Sequence, residues 1–109
     1  MKICIPVEDR EVSQHFGHTP EFAIFTVEGG KVVSKEMLRS PGHEPGLIPR
    51  LMEENGVDVV ITGGLGRRAQ DMFDEMGIRV ISGASGSVED ALRRFLDGTL
   101  VTGENICDH

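Results

Sequence analysis

Apolar positions along the chain change period several times, and each change marks an element. Ile3, Ile5 and Val7 alternate with Cys4 and Pro6, the period of two of a strand that ends before the polar stretch Glu8 to Gln14. A long loop follows. Phe22 to Val27 is rich in aromatic and β-branched residues, and Glu28-Gly29-Gly30-Lys31 turns it back through Val32-Val33 toward Met37-Leu38, predicting a β-hairpin. The segment 39–46 holds two prolines and two glycines and reads as a connector. Leu47, Ile48, Leu51 and Met52 then recur at helical spacing up to an Asn55-Gly56 stop. Val57 to Ile61 is the apolar run of a strand buried on both faces, and Thr62 to Gly66 is its exit turn. A stripe of Ala69, Met72, Phe73 and Met76 predicts a second helix ending at Gly77, and Ile78 to Ile81 repeats the buried-strand pattern. Ser87 and Asp90 resemble a capping box opening a third helix that stops at Gly98. Leu100-Val101 could add an edge strand.

This order predicts one α/β domain over 1–109: a mixed five-stranded sheet, antiparallel around the hairpin and parallel where helices connect strands, covered by about three helices. The 109 residues, 39% of them apolar, suffice for one core. A net charge of −7 without any Lys/Arg cluster excludes nucleic-acid and anionic-membrane partners, which require a positive face. The amino-terminal apolar run is too short for an export signal, and no stretch approaches the roughly 20 residues of a membrane span, so a soluble cytoplasmic protein is expected. Two cysteines, Cys4 and Cys107, make no disulfide framework.

Candidate chemistry lies in three places. Ser13-Gln14-His15-Phe16-Gly17-His18 falls just past the carboxyl end of the first strand, where ligand crevices of open α/β sheets form. His15 and His18, three residues apart in a glycine-containing loop, can turn toward one soft metal with Phe16 as a shield; alternatively His15 caps a strand end and Phe16 anchors the core. Cys107-Asp108-His109 offers a thiolate and an imidazole able to close over a metal, or is a solvated terminus. His43 is a further ligand candidate in a loop, and Cys4 reads as a core residue. Gly64-Leu65-Gly66-Arg67-Arg68-Ala69 matches the Gly-x-Gly-x-x-Ala form of a dinucleotide fingerprint, but no acidic residue ends the next strand. What survives there is either an anion-friendly helix start, with Gly63, Gly64 and Gly66 permitting close approach and Arg67 and Arg68 reinforcing it, or a tight turn whose glycines serve geometry. No nucleophile elbow or carboxylate pair is assembled, so an enzyme is not expected.

The strand Lys2 to Pro6, the His-Phe-Gly of 15–17, and Val59-Val60-Ile61-Thr62-Gly63-Gly64-Leu65-Gly66 leading into Ala69 together resemble the dinitrogenase iron-molybdenum cofactor biosynthesis family over essentially the whole chain. That resemblance implies a ribonuclease H-like α/β fold and a carrier or chaperone of iron-molybdenum cofactor, its precursor or related metal-sulfur clusters; one relative holds a molybdenum-copper sulfide cluster. His15 matches the family's His-Phe-Gly histidine, and Gly63, Gly64 and Gly66 match its glycine turn, whereas His18, Cys107 and His109 rest on spacing alone. The cysteine-rich radical domain fused to some larger relatives is absent from this sequence, so carriage rather than synthesis is implied, with a cluster-donor or acceptor protein as partner. The cargo would be an Fe-S, Mo-Fe-S or Mo-Cu-S cluster. Two rival readings remain: a mononuclear zinc site made by His15, His18, Cys107 and His109, and a nucleotide-binding regulator of ribonuclease H-like fold.

Overall fold

The computed structural model describes residues 1–42, 44 and 46–103. Its sheet is built on strand β1 (Lys2–Glu8), whose alternation sends Ile3 and Ile5 to one face and Cys4 to the other. A two-residue strand β2 (Glu11–Val12) folds straight back on β1, and the hairpin of β3 (Glu21–Glu28) and β4 (Lys31–Arg39) follows. Strands β5 (Val59–Ile61) and β6 (Arg79–Ile81) continue the sheet in parallel with β1, giving the order β4-β3-β1-β5-β6 with β2 beside β1. The expected five-stranded sheet is thus six-stranded. The added strand arises because Asp9 and Arg10 adopt φ of 52° and 69°, the left-handed pair of a two-residue hairpin turn that their residue types do not announce.

Helix α3 (Val88–Asp97) covers one face with Val88, Ala91 and Leu92 over Ile3, Ile5, Ala23 and Phe25. Helices α1 (Leu47–Glu54) and α2 (Arg67–Met76) cover the other, packing Ile48, Met52 and Phe73 over Cys4, Phe22, Ile24 and Val60. The helix stops fall where expected, with Gly56, Gly77 and Gly98 all left-handed. Ser87 accepts the Asp90 N–H as predicted, but the Asp90 carboxylate turns to Arg93 and Arg94 instead of completing a capping box. β5 is buried, whereas β6 is only half-buried because it forms the sheet edge. Leu100-Val101 is not a strand; Leu100 packs against the core beside α3 while Val101 faces solvent. Among the described residues, no helix is long and apolar enough to cross a membrane.

Candidate functional site

Past the carboxyl ends of β1, β5 and β6 the loops continue the sheet's hydrogen bonding. Gly63 N–H donates to Ser13 O at 2.9 Å, Gly83 N–H to Gly63 O at 2.8 Å, and Gly103 N–H to Gly83 O at 2.7 Å. Two of these glycines are there for close approach. A Cβ on Gly63 would stand 2.7 Å from the Gln14 Cα, and one on Gly83 2.1 Å from the Gly103 carbonyl oxygen. Gln14 locks the junction by donating from Nε2 to Val12 O and Ala84 O, both at 3.2 Å.

On this ledge sits the His-Phe-Gly-His motif. Phe16–His18 form one turn of 3-10 helix that opens at His15, and the His18 N–H donates to His15 O at 3.0 Å. His15 and His18 are therefore in the i, i+3 relation that brings side chains to one side of such a turn; both residues are exposed. Phe16 N–H donates to Gly64 O at 2.9 Å, and the Phe16 ring lies 5.4 Å from the rings of Phe22 and Phe73, edge-on to the latter. Phe16 is thus a core anchor, and it fixes the histidine loop against the glycine turn. The two motifs, about fifty residues apart in sequence, form one structure.

Between the 3-10 turn and the starts of α1 and α2 lies a pocket of about 240 Å³. Phe16, Leu65, Ile48 and Met72 give it apolar walls, Gly17 and Gly66 open onto it, and Arg68 and Glu44 are its charged groups. Gly17 and Gly66 differ from Gly63. A Cβ at either meets nothing within 4 Å, and neither has a positive φ. Packing and backbone conformation leave both positions free to carry a side chain.

Of the residues expected at the site, His15, His18, Gly63, Gly64 and Gly66 are brought together. Gly63 and Gly64 are buried in the junction, Gly64 accepting also from Thr62 Oγ1 at 3.1 Å, and Gly66 faces the pocket. Of the two arginines expected to reinforce the helix start, Arg67 is the exposed first residue of α2 and does not line the pocket, whereas Arg68 does; the phase of the first helical turn decides between them. Neither imidazole lines the pocket, though each flanks the Phe16-Gly17 pair that does. His43, Cys107 and His109 lie outside the described residues. Among the described residues no group of three or more His, Cys, Asp or Glu is placed to hold a metal ion. Cys4 is buried, and desolvation pushes its thiol well above the ordinary cysteine range, so it is a core residue and not a thiolate ligand.

Fold and site define a small α/β protein with a ligand-sized pocket at the carboxyl ends of its parallel strands. The chain belongs to the dinitrogenase iron-molybdenum cofactor family, whose model matches residues 1–98 and so ends before Cys107 and His109. An uncharacterized protein of Methanocaldococcus jannaschii is 30% identical over 105 residues, covering 92% of this chain and 89% of its own length. The crystal structure of PH0822 matches with a TM-score of 0.90 at 34% identity over 96% of each chain. The apo form of the orange protein from Desulfovibrio gigas shares the fold, with a TM-score of 0.79 and 21% identity over 95% of this chain and 93% of that one.

Proposed function

We propose that this chain is a non-catalytic carrier of a metal-sulfur cluster, seated in the pocket between the His-Phe-Gly-His turn and the start of α2. The observation that carries this is the pair of open glycines: Gly17 and Gly66 face one pocket with no packing or conformational need to lack a side chain. A cluster is a compact anion with a polarisable sulfide surface. It suits apolar walls and a soft thioether, here Met72, and it gains from close approach to backbone N–H groups at a helix start, which carries about half a positive charge. A Cβ at position 17 or 66 would stand in that approach. His15 and His18, one turn apart beside the pocket, supply imidazole nitrogens to its metal. Membership of the cofactor family and likeness to a protein described in an apo form support the same reading. The sheet order with β3 reversed against β1 supports a ribonuclease H-like scaffold. A pocket of this size holds its cargo without enclosing it, which suits hand-over between donor and acceptor proteins.

Anaerobic incubation of apo-protein with tetrathiomolybdate, with and without Cu(I), or with ferrous iron and sulfide, should produce a charge-transfer band that co-elutes with protein, together with matching metal and sulfide content. His15→Ala should lose most of it. Absence of a protein-bound band with every one of these, or protein that arrives loaded with stoichiometric zinc alone, would refute the proposal.

A further inference from the structure

Two residues of opposite formal charge line the pocket, both exposed. Arg68 is the second residue of α2, and Glu44 lines the same pocket from the connector leading to α1. Among the described residues neither takes part in an ion pair, whereas Lys35 is matched with Glu89, and Arg93 and Arg94 with Asp90. We infer that Arg68 and Glu44 set the charge of the cargo this pocket accepts, with Arg68 recruiting the anion and Glu44 limiting how highly charged it can be. This rests on the cluster-carrier reading above.

A net charge of −7 repels anions at long range, so an anion site needs its own positive island. Arg68 and the α2 start together give about one and a half positive charges, and Glu44 removes one of them. The remainder is weakly positive, enough to favour a lightly charged anion and too little to repay the desolvation of a highly charged one. Both side chains are exposed, so salt screens them and the discrimination is largest at low ionic strength. Arg68 is a fork of donors that can meet a sulfide face from the side, while the carboxylate of Glu44 can only oppose it.

The test uses three tetrahedral thiometalates of like shape and increasing charge: tetrathiorhenate, tetrathiomolybdate and tetrathiovanadate, a mono-, di- and trianion. Full-length protein is titrated with each at low and moderate salt. Arg68→Gln should weaken binding by about three- to tenfold per unit of anion charge at low salt, and Glu44→Gln should strengthen it by a similar factor, so the trianion-to-monoanion affinity ratio moves in opposite directions. Arg93→Gln, which makes the same change in net charge on the opposite face of the sheet, should leave the ratio near wild type. Wild-type binding with ratios unmoved by Arg68→Gln and Glu44→Gln, or moved equally by Arg93→Gln, overturns the inference. Failure of wild-type protein to bind any of the three overturns the inference, and joined to the absence of a band with Cu(I)-tetrathiomolybdate and with ferrous iron and sulfide it refutes the carrier reading as well.

Discussion

Replacing Gly63 by alanine tests whether the junction between the histidine loop and the glycine turn is as tight as the structure shows. The new Cβ would lie 2.5 Å from Gln14 Nε2, 2.6 Å from its Cδ and 2.7 Å from its Cα. The side chain could swing away, but only by giving up the bonds from Nε2 to Val12 O and Ala84 O, each worth about 1 kcal/mol. The backbone contact has no such escape: moving from 2.7 Å to an ordinary 3.4 Å means separating the two loops by 0.7 Å. That separation strains the 2.9 Å bonds from Gly63 N–H to Ser13 O and from Phe16 N–H to Gly64 O. Overpacking of this kind costs about 1–3 kcal/mol, and alanine returns about 0.5 kcal/mol by restricting the unfolded chain. With both Nε2 bonds lost, the net is a destabilisation of about 2.5–4.5 kcal/mol, or a thermal midpoint lower by roughly 10–25 °C. Urea unfolding followed by circular dichroism measures it, with Gly17→Ala as the control, since its Cβ meets nothing and it should fall within about 0.5 kcal/mol of wild type or above it. A Gly63→Ala variant as stable as wild type would refute the tight junction.

Three further outcomes are expected. Arg10→Gly should stabilise the fold by about 1 kcal/mol in the same assay, because Arg10 sits at φ 69° in a turn that favours glycine; a loss of stability would mean that its side chain holds the turn. Ser87→Ala should cost about 1 kcal/mol by removing the acceptor of the Asp90 N–H at the start of α3, while a neutral result would leave that cap without a role. The Cys4 thiol stays protonated in the folded chain, whereas an unfolded cysteine ionises near pH 9.0, so above that pH the unfolded state binds fewer protons and stability should fall by about 1.4 kcal/mol per pH unit. Below pH 9.0 this contribution is constant. Comparing wild type with Cys4→Ala at pH 8 and pH 10 isolates the effect, and equal slopes would contradict the burial.

Most elements could be read from the sequence because their periodicity and stops agree: Ile3 and Ile5 against Cys4 sort to opposite faces, and Gly56, Gly77 and Gly98 end their helices. β2 could not, since two residues carry no period and Asp9-Arg10 lacks the glycine that usually marks such a turn. The exposed character of β6 was hidden because an apolar run does not say whether a strand has one neighbour or two. At the site, His15 and the glycine turn stood out by residue type, yet their contact is made by main-chain groups of Phe16, Gly64, Ser13 and Gly63, which any residue possesses. Among those glycines only the three-dimensional surroundings separate Gly63, whose missing side chain makes room for Gln14, from Gly66, which opens on a pocket. Arg67 and Arg68 were both legible as a positive helix start, but which of them lines the pocket was not, because the phase of a helix's first turn depends on where the helix begins.

In the carrier proposed here, the open face of Gly17 and Gly66 admits the cluster. A doubly substituted chain, Gly17→Ala with Gly66→Ser, should fold as well as wild type, since both backbone conformations accept a side chain and serine is a slightly better helix cap than glycine. Titration of both proteins with tetrathiomolybdate plus Cu(I) should give a saturable charge-transfer band in wild type and an affinity at least tenfold weaker in the variant, a difference of about 1.4 kcal/mol or more. Equal bands in two equally stable proteins would contradict that role of the two glycines.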